Sequence, residues 1–264
     1  MRVRTRTLAV LAVLAWIAPA QVVAGVLKVK VIDGYCGKRA GCENPRLAEV
    51  TKQLQGAGYK PIAGDPANAL RETTEVWFVG NHEADAQAVL KKLSIEGRPL
   101  SWKGTAPFEL LVGVGPPAGA NPVALLPKFS QFPAQGTGGK RAPLDFASNP
   151  GSRNFHTRIS EGYDQGINFA GHLVVVEWGC GSSCQSSVVV DATNGAIHDL
   201  PTTSEGTWFR ADSNLLVVDP VNKASRWGPN IAEYLTTHFL VWENGAFREV
   251  MVSRVAIDTA KALE

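Results

Sequence analysis

The sequence carries almost no net charge and has no cluster of basic residues. It contains 26 lysines and arginines against 24 aspartates and glutamates, so its formal net charge at neutral pH is +2. Nucleic-acid-binding domains usually present clustered Lys and Arg that neutralise phosphates. The lack of such a cluster excludes nucleic acid as a predicted partner.

Long apolar runs are also missing, with one exception near the start of the chain. Residues 8–18 form an apolar run of about ten residues, whereas a membrane-spanning helix needs about 20. Arginines stand before the run at positions 2, 4 and 6, and small residues follow at Ala18, Ala20 and Ala24. This layout predicts a signal peptide over residues 1–24, cleaved after Ala20 or Ala24, with an uncleaved anchor helix as the alternative. Cleavage would remove three positive charges, leaving a net charge of −1 and no expected membrane span.

Cysteine is scarce, and its four copies stand in two close pairs, Cys36 with Cys42 and Cys180 with Cys184. In an exported protein, disulfides are the ordinary state of such cysteines. Four cysteines allow three connectivities, and pairing between nearest neighbours keeps each bridge within one part of the chain. The competing hypothesis is a metal site made of all four thiolates, but neither pair has the C-x-x-C spacing of common zinc sites. We predict the bridges Cys36–Cys42 and Cys180–Cys184, and no cofactor or metal.

The first half of the mature chain alternates strand and helix signals. Strands are predicted near residues 26–32, 75–80, 100–103 and 108–114. A first helix begins at Pro45 with Asn44 as its N-cap, and a second begins after Asn81. The resulting order, β-α-β-α-β-β, predicts a compact α/β sandwich over residues 25–115.

This order of elements resembles the C-terminal domain of LytR/CpsA/Psr-type cell-wall proteins, which is similar to the SPOR peptidoglycan-binding modules. The shared features are a strand ending in a Gly-containing turn (29–34), a helix ending in Gly-Tyr (47–59), a strand (76–79), an Ala- and Leu-rich helix (81–93) and a closing apolar strand (110–114). The sequence departs from the family at the first turn, where an insertion carries Cys36 and Cys42. The resemblance implies an envelope association and brings no catalytic residue.

The second half of the chain follows a different pattern. Residues 116–143, rich in Pro and Gly, predict an interdomain linker that packs in part through Phe129 and Phe132. From residue 144 to 264 we predict an antiparallel all-β domain, either one twisted sheet or a small sandwich, so that the whole chain is α+β. Asn194-Gly195 and Asn244-Gly245 predict type I′ hairpin turns, because both central positions of such a turn need positive φ. The predicted strands are 172–178, 188–191, 196–200, 208–211, 215–219, 237–242 and 247–252.

The densest group of chemically versatile side chains lies in residues 171–185, a segment that resembles one found in uncharacterised exported bacterial proteins. One hypothesis makes Cys180 a nucleophile with His172 as its base. The other makes Cys180 half of a disulfide that pins a tight turn. Neither Ser182 nor Ser183 has the flanking glycines of a G-x-S-x-G elbow. We predict no catalytic, cofactor-binding or metal-binding residue, and a candidate ligand surface of His172, Trp178, Ser182, Ser183 and Gln185.

Other signals are weaker. Tryptophans at positions 178, 208, 227 and 242 either stack on sugar rings or pack in the core. The five histidines lack H-E-x-x-H spacing. Glu161, Asp164 and Glu177 would serve as an acid and base only if the fold brought them together.

The leading hypothesis is an exported binding or interaction protein of the cell envelope, without catalytic activity and either periplasmic or secreted. Its expected partner is peptidoglycan or an envelope protein. The alternative is a periplasmic hydrolase or thiol enzyme with a site around His172 and Cys180. A third hypothesis is a structural or inhibitory role, in which an exposed sheet edge docks on an envelope enzyme.

Overall fold

The computed structural model describes residues 27–36, 42–64, 69–136, 140–222 and 235–264. The predicted signal peptide and Trp227 lie outside these residues. No helix within the described ranges is both long and apolar enough to cross a membrane. Helices, a mixed sheet and antiparallel sheets are all present, which confirms the predicted α+β class.

The N-terminal module is built on a five-stranded mixed sheet, sheet A. The strands are β1 (Val29–Asp33), β2 (Ile62–Ala63), β3 (Ala69–Leu70), β4 (Glu75–Phe78), β5 (Leu100–Ser101) and β6 (Leu110–Val114). Sheet A has the order β2-β1-β6-β4-β5, while β3 pairs elsewhere. The strand β1 is parallel to β2 and β6, whereas β4 is antiparallel to β6. All four predicted strands are present, and β2 and β3 are short additions that the sequence pattern did not reveal.

Two helices cover one face of sheet A and form the core of this module. They are α1 (Pro45–Gly56) and α2 (Glu83–Lys92). Asn44 caps α1 as predicted, because its side-chain oxygen accepts the Arg46 N–H at 3.2 Å. The predicted cap at Asn81 is wrong: His82 occupies the N-cap position of α2, and its ring contacts Asp85 instead. The helix side chains buried against the sheet are Val50, Leu54, Ala86, Val89 and Leu90.

The C-terminal module contains two sheets that pack together as a small sandwich. Sheet C is a meander of β7 (Leu173–Gly181), β8 (Cys184–Asp191) and β9 (Ile197–Asp199). Sheet B contains β10 (Thr207–Phe209), β11 (Leu215–Val218), β12 (Thr237–Glu243) and β13 (Ala246–Ser253), with β3 added at its edge. All seven predicted strands are present. Inward-facing residues of both sheets share one cluster, which includes Leu173, Val175, Val189, Leu216, Val218 and Trp242.

The prediction of an all-β domain beyond residue 144 is wrong in one respect, because a helix precedes β7. Residues Pro150–Phe155 form a 3-10 turn that leads into the helix α3 (His156–Asp164). The helix buries Ile159 and Tyr163 against the outer face of sheet C. Gly162 lets it approach closely, since a Cβ there would lie 2.4 Å from a Val176 methyl group. The sequence did not predict this helix, because one glycine and only two buried side chains give a weak helical periodicity of apolar residues.

The two Asn-Gly turns differ. Asn244 and Gly245 have φ values of 53° and 77°, and Glu243 pairs with Ala246, so the predicted type I′ hairpin is confirmed. At the other turn only Gly195 has positive φ, and Asp191 N–H bonds to Ala196 O across a longer loop. The Asp191 carboxylate accepts hydrogen bonds inside this loop, including the Thr193 N–H at 2.8 Å, and thereby stabilises the longer form. The type I′ prediction at 194–195 is therefore wrong.

The Pro/Gly-rich segment 116–143 packs partly on sheet B. The segment contains two 3-10 turns, Pro122–Leu125 and Phe129–Gln131. Leu126 and Phe129 are buried in the same cluster as the outer face of β11 and β12. The Ser213 hydroxyl lies 2.9 Å and 3.0 Å from the carbonyl oxygens of Phe129 and Phe132, which fixes the segment to the start of β11.

The two modules meet through β3 and a buried ion network centred on Glu75. The strand β3 pairs in parallel with the end of β13, and Arg254 N–H donates to Leu70 O at 2.7 Å. One Glu75 oxygen accepts from Arg71 Nε at 3.0 Å and the other from Arg254 Nε at 3.1 Å. The Arg71, Glu75 and Arg254 side chains are only 7%, 14% and 14% exposed. The Glu75 carboxylate of the N-terminal module thus contacts Arg71 of its own module and Arg254 of the C-terminal module.

The surrounding residues are shaped to accommodate this network. Arg71 lies over Gly113, where a Cβ would come within 2.5 Å of its Nε atom. The Trp77 indole N–H donates to Glu75 at 3.0 Å, and the Arg254 guanidinium stacks 5.1 Å from the Trp77 ring centre. Burial lowers the pKa of the Arg71 guanidinium, and the neighbouring Glu75 carboxylate opposes that shift. The negative charge of Glu75 therefore compensates the positive charges of the buried Arg71 and Arg254 side chains.

We expect Glu75→Gln to destabilise the protein by about 3–5 kcal/mol, because it removes the negative charge that both buried guanidinium groups contact. Urea unfolding followed by tryptophan fluorescence measures this loss. The matched control is Glu161→Gln, which neutralises an exposed carboxylate on α3 and should change stability by less than about 0.5 kcal/mol. Equal, small losses in the two variants would show that the ion network does not hold the modules together.

Candidate functional site

The two predicted disulfides are both present. Cys36 bonds to Cys42 and Cys180 to Cys184, with Cα–Cα distances of 5.5 Å and 5.1 Å. Both distances lie in the range usual for disulfides. All four cysteines belong to the described residues, and none of them is free.

The first disulfide closes a loop next to a polar cluster at the end of β1. Asp33 Oδ1 accepts the Tyr35 and Cys36 N–H groups at 2.9 Å and 3.0 Å, and the Asn44 side-chain amide at 3.0 Å. The same Asn44 amide reaches the carbonyl oxygen of Gly115 at 3.2 Å. Asp33 therefore links the start of this loop to Asn44 at the start of α1, and residues 37–41 lie outside the described part.

The second disulfide closes the tip of the hairpin formed by β7 and β8, which we call the cystine hairpin (residues 177–187). At its tip, Gly181 and Ser183 adopt positive φ values of 145° and 54°. Residues 179–182 are exposed, and residues 183–186 are half-buried. The hairpin thus ends in a short, cross-linked and solvent-accessible polar turn.

The structure does not gather the five predicted surface residues into one patch. Ser182 and Ser183 lie at the tip. Trp178 pairs with Ser186 on the face of sheet C that carries α3, whereas Gln185 pairs with Gly179 on the opposite face. Side chains of neighbouring strand residues alternate between faces, so Trp178 and Gln185 cannot contact one flat ligand together.

His172 lies far from this tip. It precedes β7, and Cys180 is eight residues further along the extended strand, a separation of about 26 Å at 3.3 Å per residue. The His172 ring nitrogen Nδ1 is 2.8 Å from Ala170 O. The nucleophile and base of the thiol-enzyme hypothesis are therefore at opposite ends of one strand, and the Cys180 sulfur is bonded to Cys184.

The Trp178 ring packs against another aromatic ring at the base of the hairpin. Its ring lies 4.9 Å from the ring of Phe155, which is 43% exposed. Among the described residues, the Trp178 indole N–H is buried without a hydrogen-bond acceptor. Trp178 is thus covered by Phe155, a residue that the sequence pattern did not single out because it lies in an irregular turn.

The base of the hairpin is held by a loop that the sequence did not point to. Gln185 and Thr203 exchange both backbone hydrogen bonds, at 2.8 Å and 2.9 Å. The next two N–H groups, of Ser204 and Glu205, donate to Asp219 Oδ1 at 2.6 Å and 2.8 Å. Asp219 ends β11, so the loop ties the hairpin of sheet C to sheet B.

Glu177 stands at this same base, on the face directed at sheet B. A Cβ on Gly206 would lie 3.6 Å from its Oε1 atom. Desolvation raises the pKa of the Glu177 carboxyl, and the neighbouring Thr207 opposes the shift only in part. The helix carrying Glu161 and Asp164 covers the other face of sheet C, so the fold does not join these carboxylates to Glu177.

The described residues contain no group of three or more His, Cys, Asp and Glu side chains able to hold a metal ion.

We expect the purified mature protein, denatured without reductant, to contain no reactive thiol, because all four sulfurs are paired. Reaction with a thiol reagent followed by peptide mass mapping should recover only the bridges Cys36–Cys42 and Cys180–Cys184. Rapid alkylation of Cys180 or Cys184 would contradict the structure and favour the thiol-enzyme alternative.

We expect Glu177→Gln to alter the pH dependence of stability. Because the folded state raises the pKa of Glu177, its favourable contribution is complete below the unfolded pKa and is lost as the pH rises through the folded value. Glutamine mimics the protonated acid, so the variant should match the original protein below the ordinary pKa of a glutamate and exceed it in stability at neutral pH. Urea unfolding across this range measures the difference. A constant difference at every pH would contradict the assignment.

Comparisons with protein-family models, with curated proteins and with solved structures found no match to this chain. The resemblance of residues 25–115 to the LytR/CpsA/Psr C-terminal domain therefore stays a prediction.

Proposed function

We propose that this chain is an exported binding protein of the cell envelope, without catalytic activity, that contacts peptidoglycan through the tip of the cystine hairpin. The observation that carries the proposal is the cross-linked turn at residues 180–184, which is exposed at residues 180–182 and whose base is fixed by backbone hydrogen bonds between Gln185 and Thr203. The hydroxyl groups of Ser182 and Ser183 offer donors and acceptors to sugar hydroxyls or to the amides of stem peptides.

Rigidity favours this role. Ordering a flexible loop on binding costs free energy, and a loop that is already cross-linked loses less freedom. The Cys180–Cys184 bond fixes the turn, and the exchange of hydrogen bonds between Gln185 and Thr203 fixes its base. The polar tip is therefore presented in nearly one conformation.

Two features support a location outside the cytoplasm. Disulfides persist in oxidising compartments such as the periplasm and the extracellular space, and both cysteine pairs are bonded. The amino-terminal segment has the layout of a signal peptide. The resemblance of the N-terminal module to envelope modules agrees with peptidoglycan, or an envelope protein, as the partner.

The alternative, a periplasmic hydrolase or thiol enzyme, requires a free thiolate or a serine activated by a histidine. Cys180 is bonded, and His172 lies about 26 Å along the strand from it. These two observations favour the binding function over the enzyme.

We expect the mature protein to co-sediment with purified sacculi, and Ser182→Glu to reduce the retained fraction. The added carboxylate places bulk and charge in the polar turn, and we expect a loss of about fivefold, equivalent to about 1 kcal/mol of binding free energy. Quantitative sedimentation over a range of sacculus concentrations gives the apparent Kd of each variant.

The matched control is Ser130→Glu, which makes the same substitution at an exposed serine in the 3-10 turn Phe129–Gln131. It should bind as the original protein does. Equal retention of both variants would move the contact away from the hairpin tip. If the original protein is not retained on sacculi, peptidoglycan is not the partner and an envelope protein becomes the leading candidate.

A further inference from the structure

A concave surface, separate from the cystine hairpin, lies along the edge of sheet C between β9 and the start of β13. It is an open cleft of about 520 Å³, within the range of small-molecule sites. It lies outside the cystine hairpin, and none of the residues that line it belongs to the predicted ligand surface. The residues that line it are Ser148, Asn149, Pro150, Ile197, His198, Asp199, Trp242, Ala246 and Phe247.

The floor of this cleft is aromatic and continuous with the core. The Trp242 and Phe247 rings meet edge to face at 4.9 Å, and Phe247 stacks on the buried ring of Phe169. His198 packs edge to face against Trp242 with 5.2 Å between ring centres. Trp242 is only 6% exposed, so it acts as a fixed support beneath the cleft.

The rim of the cleft is polar. Asn149 Nδ2 donates to Asp199 Oδ1 at 2.7 Å, which orients the carboxylate. No other hydrogen bond to this carboxylate occurs among the described residues. Asp199 is exposed and His198 is half-buried, so a carboxylate and an imidazole both border the opening. The Ser148 hydroxyl binds Ile197 N–H at 2.9 Å and fixes the rim segment to β9.

An aromatic floor with a rim of carboxylate, amide and imidazole groups selects for an amphipathic ligand. A pyranose ring has an apolar C–H face that packs on aromatic side chains and a perimeter of hydroxyl groups that pair with such a rim. A phosphate group would be repelled by Asp199, and an aliphatic chain would leave the rim groups unpaired.

We propose that this cleft binds one sugar ring of a glycan, with Asp199 accepting ring hydroxyl groups and Phe247 packing against the C–H face. The inference rests on the proposed envelope function and deepens it. Asp199 pairs with Val188, and Val188 lies five residues after Ser183, so the hairpin tip is about 17 Å from Val188 along the strand. A repeating glycan strand is long enough to contact both places.

The test uses the mature protein and the soluble disaccharide of N-acetylglucosamine and N-acetylmuramic acid. Binding is followed by NMR titration of side-chain resonances. Ala246→Trp fills the cleft from an exposed position at the start of β13 and removes no contact. We expect it to raise the Kd about tenfold or more, whereas Asp199→Asn, which keeps an acceptor for Asn149, should raise it by a smaller factor.

The matched control is Ala118→Trp, the same substitution at an exposed alanine in a cleft of the N-terminal module. Unchanged affinity in this control, together with shifts of Trp242 and His198 resonances in the original protein, supports the cleft. Equal affinity of Ala246→Trp and the original protein would overturn it, and so would an absence of shifts in the cleft resonances.

Sacculus binding separates this inference from the function on which it rests. If Ala246→Trp and the original protein are retained on sacculi equally and neither binds the disaccharide, the cleft assignment fails and the envelope function stands. If the original protein binds the disaccharide in the cleft but is not retained on sacculi, the sugar site stands and peptidoglycan is ruled out as its source.

Discussion

Glu75 lies between two buried guanidinium groups, one from its own module and one from the end of the last strand of the other. Removing a carboxylate from water is unfavourable, and the two arginines, together with the Trp77 indole, compensate for that desolvation. The network also demands space, which the missing side chain of Gly113 provides for Arg71. Sheet A and sheet B are held in one arrangement because this charge cluster is satisfied only when both are in place.

That arrangement positions the surfaces on which function depends. The short strand β3 leaves the N-terminal module and completes sheet B, and sheet B shares its core with sheet C. Asp219, at the end of β11, holds the loop that pairs with Gln185 at the base of the cystine hairpin. The exposed tip belongs to sheet C, whereas the cleft lies where β9 of sheet C meets Trp242, Ala246 and Phe247 of sheet B. Both surfaces therefore depend on the packing of sheet B against sheet C.

Local sequence rules predicted much of this fold, and the failures share a cause. Alternating strands, the Asn44 cap and the Asn244-Gly245 turn depend on neighbours in the chain, and each is confirmed. The helix α3 was missed because Gly162 weakens its pattern, and the turn at Asn194 failed because the Asp191 side chain favours a longer loop. The Glu75 network and the cleft join residues far apart in sequence, so no local spacing rule indicates them. The disulfide pairs were predictable because each lies within a few residues.

The two modules form one cooperative body, joined by buried charges and a shared sheet. Differential scanning calorimetry of the whole mature chain tests it most directly, because a single cooperative unit gives equal calorimetric and van't Hoff enthalpies. We expect one transition with an enthalpy appropriate to the whole chain, about 0.7 kcal/mol per residue near 60 °C. Two separate transitions, each with the enthalpy of one module, would contradict it.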